Sequence, residues 1–125
     1  MKIKISDAFV LKNFCDKIST EILPIQTAYK IAKLSINLTD EVAFYQQQYS
    51  KYFEEYALKE EGNFVFNESG NIKIIPGKEN ECKEKFEELD SMEIEVPDYS
   101  FTFEDLRDLK ISIADMKVLS PFIKE

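Results

Sequence analysis

Residues 25–59 contain neither glycine nor proline, and one register of mostly apolar side chains recurs through them at alternating spacings of three and four. This heptad spacing keeps one face of an α-helix turned toward a neighbouring helix along its whole length. The face consists of Ala28, Ile31, Ser35, Leu38, Val42, Tyr45, Tyr49, Tyr52 and Tyr56. The run therefore predicts one long central helix, about 50 Å in length at about 1.5 Å per residue.

A helix of this length exceeds what a globule of 125 residues easily covers, so part of its apolar face is expected to meet another chain. Self-association into a homo-oligomer is expected if Leu38, Val42 and Tyr45 stay open to solvent. The weak point of the helix is the segment around Thr39 and Asp40, because either residue can cap a new helix there. A break at this point gives a kink or a helical hairpin instead of one rod.

Shorter elements flank the long helix. Alternation of polar and apolar residues predicts strands at residues 2–5 and 92–96, and a β-hairpin with Phe64 and Phe66 on one arm and Ile72 and Ile74 on the other. Helical spacing predicts helices over residues 8–19, capped by Ser6 or Asp7, over residues 79–92, and over residues 113–119, capped by Ser112. The predicted fold is α+β in a single domain of residues 1–125, with a long central helix, shorter helices and a small antiparallel sheet.

The chain is acidic, with 16 lysines and arginines against 24 aspartates and glutamates and a formal net charge of -8. A field of this sign opposes nonspecific binding to nucleic-acid phosphates, so nucleic acid is not an expected direct partner. The charge is uneven, since residues 1–34 carry a net charge of +3 and leave -11 for residues 35–125. The two ends therefore either complement each other within the fold or serve different partners.

The sequence favours a cytoplasmic protein. Its N-terminal segment lacks the continuous apolar stretch of a secretion signal, and no stretch approaches the ~20 apolar residues of a membrane span. Cys15 and Cys82 are far apart in the sequence without CxxC spacing. Reduced thiols are the expectation, with no disulfide scaffold and no membrane partner.

The residue types present argue against most enzymes. There is no histidine, which excludes imidazole proton transfer, Ser-His or Cys-His pairs and histidine metal sites. The glycines Gly62, Gly70 and Gly77 each stand at a predicted turn, so no phosphate-binding glycine motif can form. Carboxylate pairs such as Glu93 and Glu95 can bind Mg²⁺ in principle, but a solvated acidic surface is the simpler interpretation. No catalytic residue, cofactor or metal site is predicted.

Two candidate protein-binding surfaces remain. The first, the tyrosine stripe, consists of Tyr45, Tyr49, Tyr52 and Tyr56. In one interpretation the stripe covers Phe64 and Phe66 of the hairpin; in the other, some of its members are exposed anchors for a partner, since interface hot spots favour tyrosine. The second, the acidic face, consists of Glu84, Glu87 and Glu88 on one side of a predicted helix.

Three segments carry a resemblance to known sequences: "LPIQTAYKIAKL" at 23–34, "FEELDSMEIEVP" at 86–97 and the ending "DMKVLSPFIKE". Together with the "KIK" opening and the long helix, they are similar to a family of small acidic bacteriophage and prophage proteins of unknown function. The resemblance implies a phage origin and a location in the cytoplasm of an infected bacterial host. It implies no activity and carries no catalytic residue.

The expected function is non-enzymatic protein–protein interaction, in phage particle assembly or as an accessory factor, with the chain itself or another protein as partner. An inhibitor of a host defence or nucleic-acid enzyme is the alternative, in which the acidic surface mimics nucleic acid. Salt separates the two, because binding through the acidic surface weakens steeply with ionic strength, whereas apolar assembly does not.

Overall fold

The computed structural model of the protein describes residues 1–98 and 100–124. In chain order its elements are β1 (Lys2–Lys4), α1 (Ile5–Lys17), α2 (Ile25–Tyr56), β2 (Lys59–Glu60), β3 (Asn63–Phe64), α3 (Glu79–Ser91), β4 (Glu93–Glu95) and α4 (Ile113–Leu119), followed by a 3-10 turn at Ser120–Phe122. The strands pair as β1 with β4 and β2 with β3. A long helix with shorter helices and small antiparallel sheets is the predicted α+β fold.

The long helix α2 is continuous through the expected weak point. Thr39, one of the two candidate caps, bonds instead to the preceding helical turn, and so does the neighbouring Asn37. Thr39 Oγ1 donates to the Ser35 carbonyl oxygen at 2.9 Å, and Asn37 Nδ2 donates to the Lys33 carbonyl oxygen at 3.0 Å. Bonds of this kind satisfy the polar side chains while the helical backbone bonds stay in place. The alternative of a helical hairpin is therefore wrong.

The apolar face of α2 is closed within the chain. Leu38, Val42 and Tyr45 are all buried, and Leu38 is 0% exposed. They share one core cluster with residues of α1 such as Leu11 and Phe14. The condition for self-association, that this face stays open at Leu38, Val42 and Tyr45, is not met, because α1 packs along it. Self-association through these three residues is not available to the folded chain.

The buried face of α2 also differs slightly from the predicted register. Thr27 and Leu34 are buried, whereas Ala28 is exposed and Ser35 is only half-buried. Ser35 Oγ accepts a hydrogen bond from Lys12 Nζ of α1 at 2.8 Å. The position of α1 therefore rotates the buried face toward Leu34 and leaves Ser35 at its border.

The strands β1 and β4 join the start of the chain to the segment after α3. Ile3 pairs with Ile94, which is buried in the core. The flanking cross-strand pairs are Lys2 with Glu95 and Lys4 with Glu93. Opposite charges directly across an antiparallel ladder stabilise its register. Lys2 and Lys4 of the basic N-terminal segment thus lie beside acidic residues of β4.

The first turn of α1 depends on a tertiary contact. Its N-cap residue is Lys4, so the predicted caps Ser6 and Asp7 are wrong. Ser6 Oγ instead donates to the Asp90 carbonyl oxygen at 3.0 Å. This hydrogen bond joins the start of α1 to the end of α3. A local capping rule cannot predict it, because the two residues are far apart in the sequence.

The predicted hairpin is correct at its tip and wrong at its base. The observed pairs are Lys59 with Phe64, Phe66 with Ile72, and Ala57 with Ile74. At the tip, Asn67 Oδ1 accepts hydrogen bonds from the Ser69 and Asn71 amides at 2.9 and 3.0 Å. At the base, the segment after α2 pairs with both arms, so the phenylalanine arm and the isoleucine arm do not form one continuous ladder.

Replacing Leu38 by alanine tests the packing of α1 on α2. Because Leu38 is fully buried, Leu38→Ala is expected to lower the free energy of unfolding by about 2–5 kcal/mol. The control is Ile113→Ala at the exposed start of α4, where a change of at most about 0.5 kcal/mol is expected. Urea unfolding followed by circular dichroism measures both, and equal losses would contradict the assigned core.

A second prediction concerns the Lys17–Asp115 pair between α1 and α4. Lys17 Nζ lies 2.7 Å from Asp115 Oδ2, and this bond, aided by Ser112, holds the pKa of the buried Asp115 carboxyl below its usual range. A lowered pKa stabilises the fold above the unfolded-state pKa, and the contribution is lost as pH falls through the folded-state pKa. Asp115→Asn is therefore expected to cost about 1 kcal/mol at neutral pH.

The pH profile of unfolding checks this sign. The stability difference between the wild type and Asp115→Asn is expected to shrink as pH falls below about 4. Asp108→Asn serves as the matched control, because the Asp108 side chain is largely exposed. A difference that stays constant from pH 7 to pH 2 would contradict a charge-dependent role for Asp115.

Candidate functional site

The tyrosine stripe packs against α3. Phe86 of α3 contacts three rings of α2, with centroid distances of 4.7 Å to Tyr49, 5.5 Å to Tyr52 and 5.2 Å to Phe53. Among the described residues, ring contacts to the stripe come from Phe9, Phe53 and Phe86, with none from Phe64 or Phe66. The interpretation that the stripe covers the hairpin is therefore wrong. Phe86 of α3, and not the hairpin, packs against Tyr49 and Tyr52 of the stripe.

The two ends of the stripe are buried and hydrogen-bonded to acidic residues of α3. Tyr45 Oη donates to Asp90 Oδ1 at 2.7 Å, and Tyr56 Oη donates to Glu81 Oε1 at 3.0 Å. Burial first, and then the bond to Glu81, raises the pKa of Tyr56 to about 12. Burial and the bond to Asp90 likewise raise the pKa of Tyr45. Both phenols therefore stay protonated and act as donors that fix α3 on α2.

The middle of the stripe is more open. Tyr49 is 38% exposed and Tyr52 is half-buried. Tyr49 borders a cleft of about 530 Å³ that it shares with Phe9 and Tyr45. The stripe is thus mixed, with packed ends and a partly presented middle. Tyr49 and Tyr52 are the members that a partner can reach.

A second cleft lies between α2 and α3, on the side of Tyr52. Its volume is about 530 Å³, and it is lined by Phe44, Gln48, Tyr52, Glu88, Leu89, Ser91 and Met92. We call it the α2–α3 cleft. Phe44 and Met92 are 41% and 38% exposed, so one aromatic and one flexible apolar side chain lie at an open surface. Exposed apolar side chains grouped in a concave surface are typical of binding sites.

The α2–α3 cleft brings the two predicted surfaces together. Tyr52 of the tyrosine stripe and Glu88 of the acidic face both line it. Glu84 and Glu87 are exposed on α3 outside the cleft, and Glu87 Oε1 lies 3.9 Å from Lys83 Nζ. Of the acidic face, only Glu88 therefore borders the candidate site.

Sequence patterns missed Phe44 and Met92. Phe44 lies next to Tyr45 and outside the heptad register. A large apolar residue outside the predicted buried face was the one sequence signal that could have indicated it. Met92 directly follows α3, at the junction with β4. Because the two residues belong to different elements, only the packing of α3 on α2 shows that they share a cleft.

The thiols are poorly suited to nucleophilic chemistry. Burial raises the pKa of Cys15 to about 11 and also raises the pKa of Cys82. A thiol needs a lowered pKa to form a reactive thiolate near neutral pH. The described residues contain no group of three or more acidic, cysteine or histidine side chains placed to hold a metal ion.

No helix in the described part of the chain has the length and apolar character needed to cross a membrane. Comparisons with protein-family models, with curated protein sequences and with solved structures found no match. The resemblance to a phage family therefore stays a prediction. Function has to be inferred from the described side chains themselves.

Removing the Tyr45 hydroxyl tests the attachment of α3 to the stripe. Tyr45→Phe deletes a buried donor and leaves the Asp90 carboxylate without it, so a loss of about 1 kcal/mol in unfolding free energy is expected. Tyr49→Phe is the matched control, since its exposed ring is expected to tolerate the change within about 0.5 kcal/mol. Chemical denaturation measures both variants, and an equal effect would contradict the assigned role.

Proposed function

We propose that this protein is a non-enzymatic, phage-encoded protein–protein interaction protein, acting in particle assembly or as an accessory factor. The observation that supports the proposal is the α2–α3 cleft, in which exposed Phe44 and Met92 stand beside Tyr52. Aromatic and methionine side chains are enriched at protein interfaces. In this proposal a partner inserts an apolar side chain between α2 and α3.

The border of the α2–α3 cleft specifies the chemistry of that partner. Gln48, Glu88 and Ser91 provide a polar rim around the apolar centre. Glu84 and Glu87 extend the negative charge along the exposed side of α3. A partner that places an apolar anchor in the cleft and lysine or arginine beside α3 matches both features.

The chemistry of the side chains is consistent with a non-enzymatic role. The chain has no histidine. Burial raises the pKa of both cysteine thiols, and burial with hydrogen bonding raises the pKa of Tyr45 and Tyr56. These groups therefore remain protonated near neutral pH, where catalysis by a thiolate or phenolate would require the opposite.

The second candidate is an inhibitor of a host defence or nucleic-acid enzyme. The observation that favours it is that all three residues of the acidic face, Glu84, Glu87 and Glu88, are exposed. Lys83 and Lys85 lie among these glutamates and reduce the local negative charge. The α2–α3 cleft, with its apolar centre, therefore supports the interaction protein better than the acidic face supports a nucleic-acid mimic.

Affinity capture with matched variants tests the proposed function. The immobilised wild type, Phe44→Glu and Phe66→Glu are compared as baits in extracts of the cells in which the chain is naturally made. Phe66 is the control because it is exposed in the hairpin, away from the α2–α3 cleft. Phe44→Glu is expected to reduce capture of the specific partner by about tenfold or more, whereas Phe66→Glu leaves it unchanged.

The binding of the captured protein is then measured with purified components at low and high salt. Persistence of binding at high salt, with loss in Phe44→Glu, supports an apolar contact in the α2–α3 cleft. Binding that is lost at high salt and in a Glu84, Glu87 and Glu88 charge reversal, but kept in Phe44→Glu, favours the inhibitor. Equal binding by the wild type, Phe44→Glu and the Glu84, Glu87 and Glu88 charge reversal contradicts both functions.

A further inference from the structure

The outer side of α2 carries a second apolar stripe, distinct from the buried face. It runs Ile25, Tyr29, Ala32, Ile36, Thr39 and Ala43, at spacings of four and three in alternation. We call it the outer stripe. Ile25, Tyr29 and Ile36 are 84%, 62% and 67% exposed. Large apolar side chains this exposed, in a heptad register, are typical of a helix that packs against another helix.

The outer stripe lies opposite the core. At 3.6 residues per turn, the centre of the outer stripe lies about 150° around the helix from the centre of the buried Thr27, Ile31, Leu34 and Leu38. The part of the chain that the structure describes leaves Ile25, Tyr29 and Ile36 open to solvent. The outer stripe is therefore a different surface from the face that was expected to self-associate, which α1 covers.

One edge of the outer stripe has a self-complementary sequence. Gln26, Lys33, Asp40 and Gln47 recur there at intervals of seven residues. All four are exposed, and within the described residues neither Lys33 nor Asp40 has an ion-pair partner. Lys33 Nζ lies 5.7 Å from the centroid of the Tyr29 ring, which keeps this charge beside the stripe.

This edge matches an antiparallel copy of itself. When two α2 helices cross at a two-fold axis between residues 36 and 37, Lys33 faces the partner's Asp40 and Gln26 faces the partner's Gln47. The symmetry makes each contact occur twice. A parallel arrangement instead places Lys33 near the partner's Ala28 and Asp40 near the partner's Ser35, without an ion pair. Charge complementarity therefore selects the antiparallel copy.

We propose that a second copy of this chain docks antiparallel on the outer stripe and forms a symmetric dimer. The two Ile36 side chains meet near the axis, and Ala32 and the partner's Ala43 are offset by two residues, about 3 Å along the helix axis. These alanines are small, so the two helices can approach closely along a contact about 32 Å long, from Gln26 to Gln47. The proposal rests on the outer stripe and on its edge with Lys33 and Asp40, and it does not depend on the proposed function.

A groove beside the outer stripe offers further room for the partner's side chains. It lies between α1 and α2, has a volume of about 320 Å³ and is lined in part by Leu23, Ala28, Ala32 and Ile36. Ala28 and Ala32 have small side chains, which leave space in the groove above α2. In the antiparallel register the partner's Ile36 lies beside the Ala32 and Ile36 end of this groove and can pack against it, which extends the apolar contact at the axis.

Sedimentation equilibrium across a dilution series tests the dimer. The wild type is expected to reach twice the chain mass of 14.6 kDa as its concentration rises. Ile36→Glu places two charges at the axis and is expected to weaken the dimer by about tenfold or more. Ile113→Glu is the matched control, since Ile113 is 80% exposed on α4, and it is expected to leave the dimer unchanged.

Charge exchange tests the orientation. Lys33→Glu and Asp40→Lys are each expected to weaken the dimer, because each places like charges across the edge, and the double variant is expected to restore it. Thermal unfolding by circular dichroism verifies that every variant stays folded. A monomeric wild type at all concentrations, or a dimer insensitive to Ile36→Glu, overturns the proposal. A double variant that fails to recover overturns the antiparallel arrangement.

Discussion

The packing of one unbroken helix, α2, against the rest of the chain is the constraint on which this fold depends. Its first half is covered by α1 and its second half by α3. An isolated helix gains little stability from local bonds, so the burial of Leu34, Leu38 and Val42 is what fixes α2 in place. The β1–β4 ladder then closes the chain around α1 and α3, because its two strands lead directly into and out of these helices.

The other elements of this short chain cannot cover the whole surface of a helix as long as α2. α1 and α3 bury one side, and two apolar surfaces remain. The α2–α3 cleft opens beside the second half of α2, where Phe44 and Tyr52 meet Met92. The outer stripe runs along the opposite side of the first half, from Ile25 to Ile36. Both surfaces follow from the same excess of helix length, and both suit contacts with other proteins.

The candidate site was predicted in part. The tyrosine stripe and the acidic face were recognised from residue type and spacing, and Tyr52 and Glu88 do border one cleft. Phe44 and Met92 were missed, because a cleft between two elements depends on how those elements cross. In one of the two interpretations the stripe covers the hairpin, whereas the ring that packs on it is Phe86 of α3. Similar aromatic residues occur in both segments, so spacing could not distinguish them.

The sequence by itself determined the kind and the approximate extent of most elements, since helical and strand periodicities and turn residues are local properties. The long helix, the Ser112-capped α4 and the tip of the hairpin were all predicted from these local patterns. The tertiary structure decided which faces are covered. Ser6 bonds to Asp90 instead of capping α1, and α1 closes the face of α2 whose exposure was the condition for self-association. Each outcome depends on residues distant in sequence, whose relative positions are set by packing and not by local pattern.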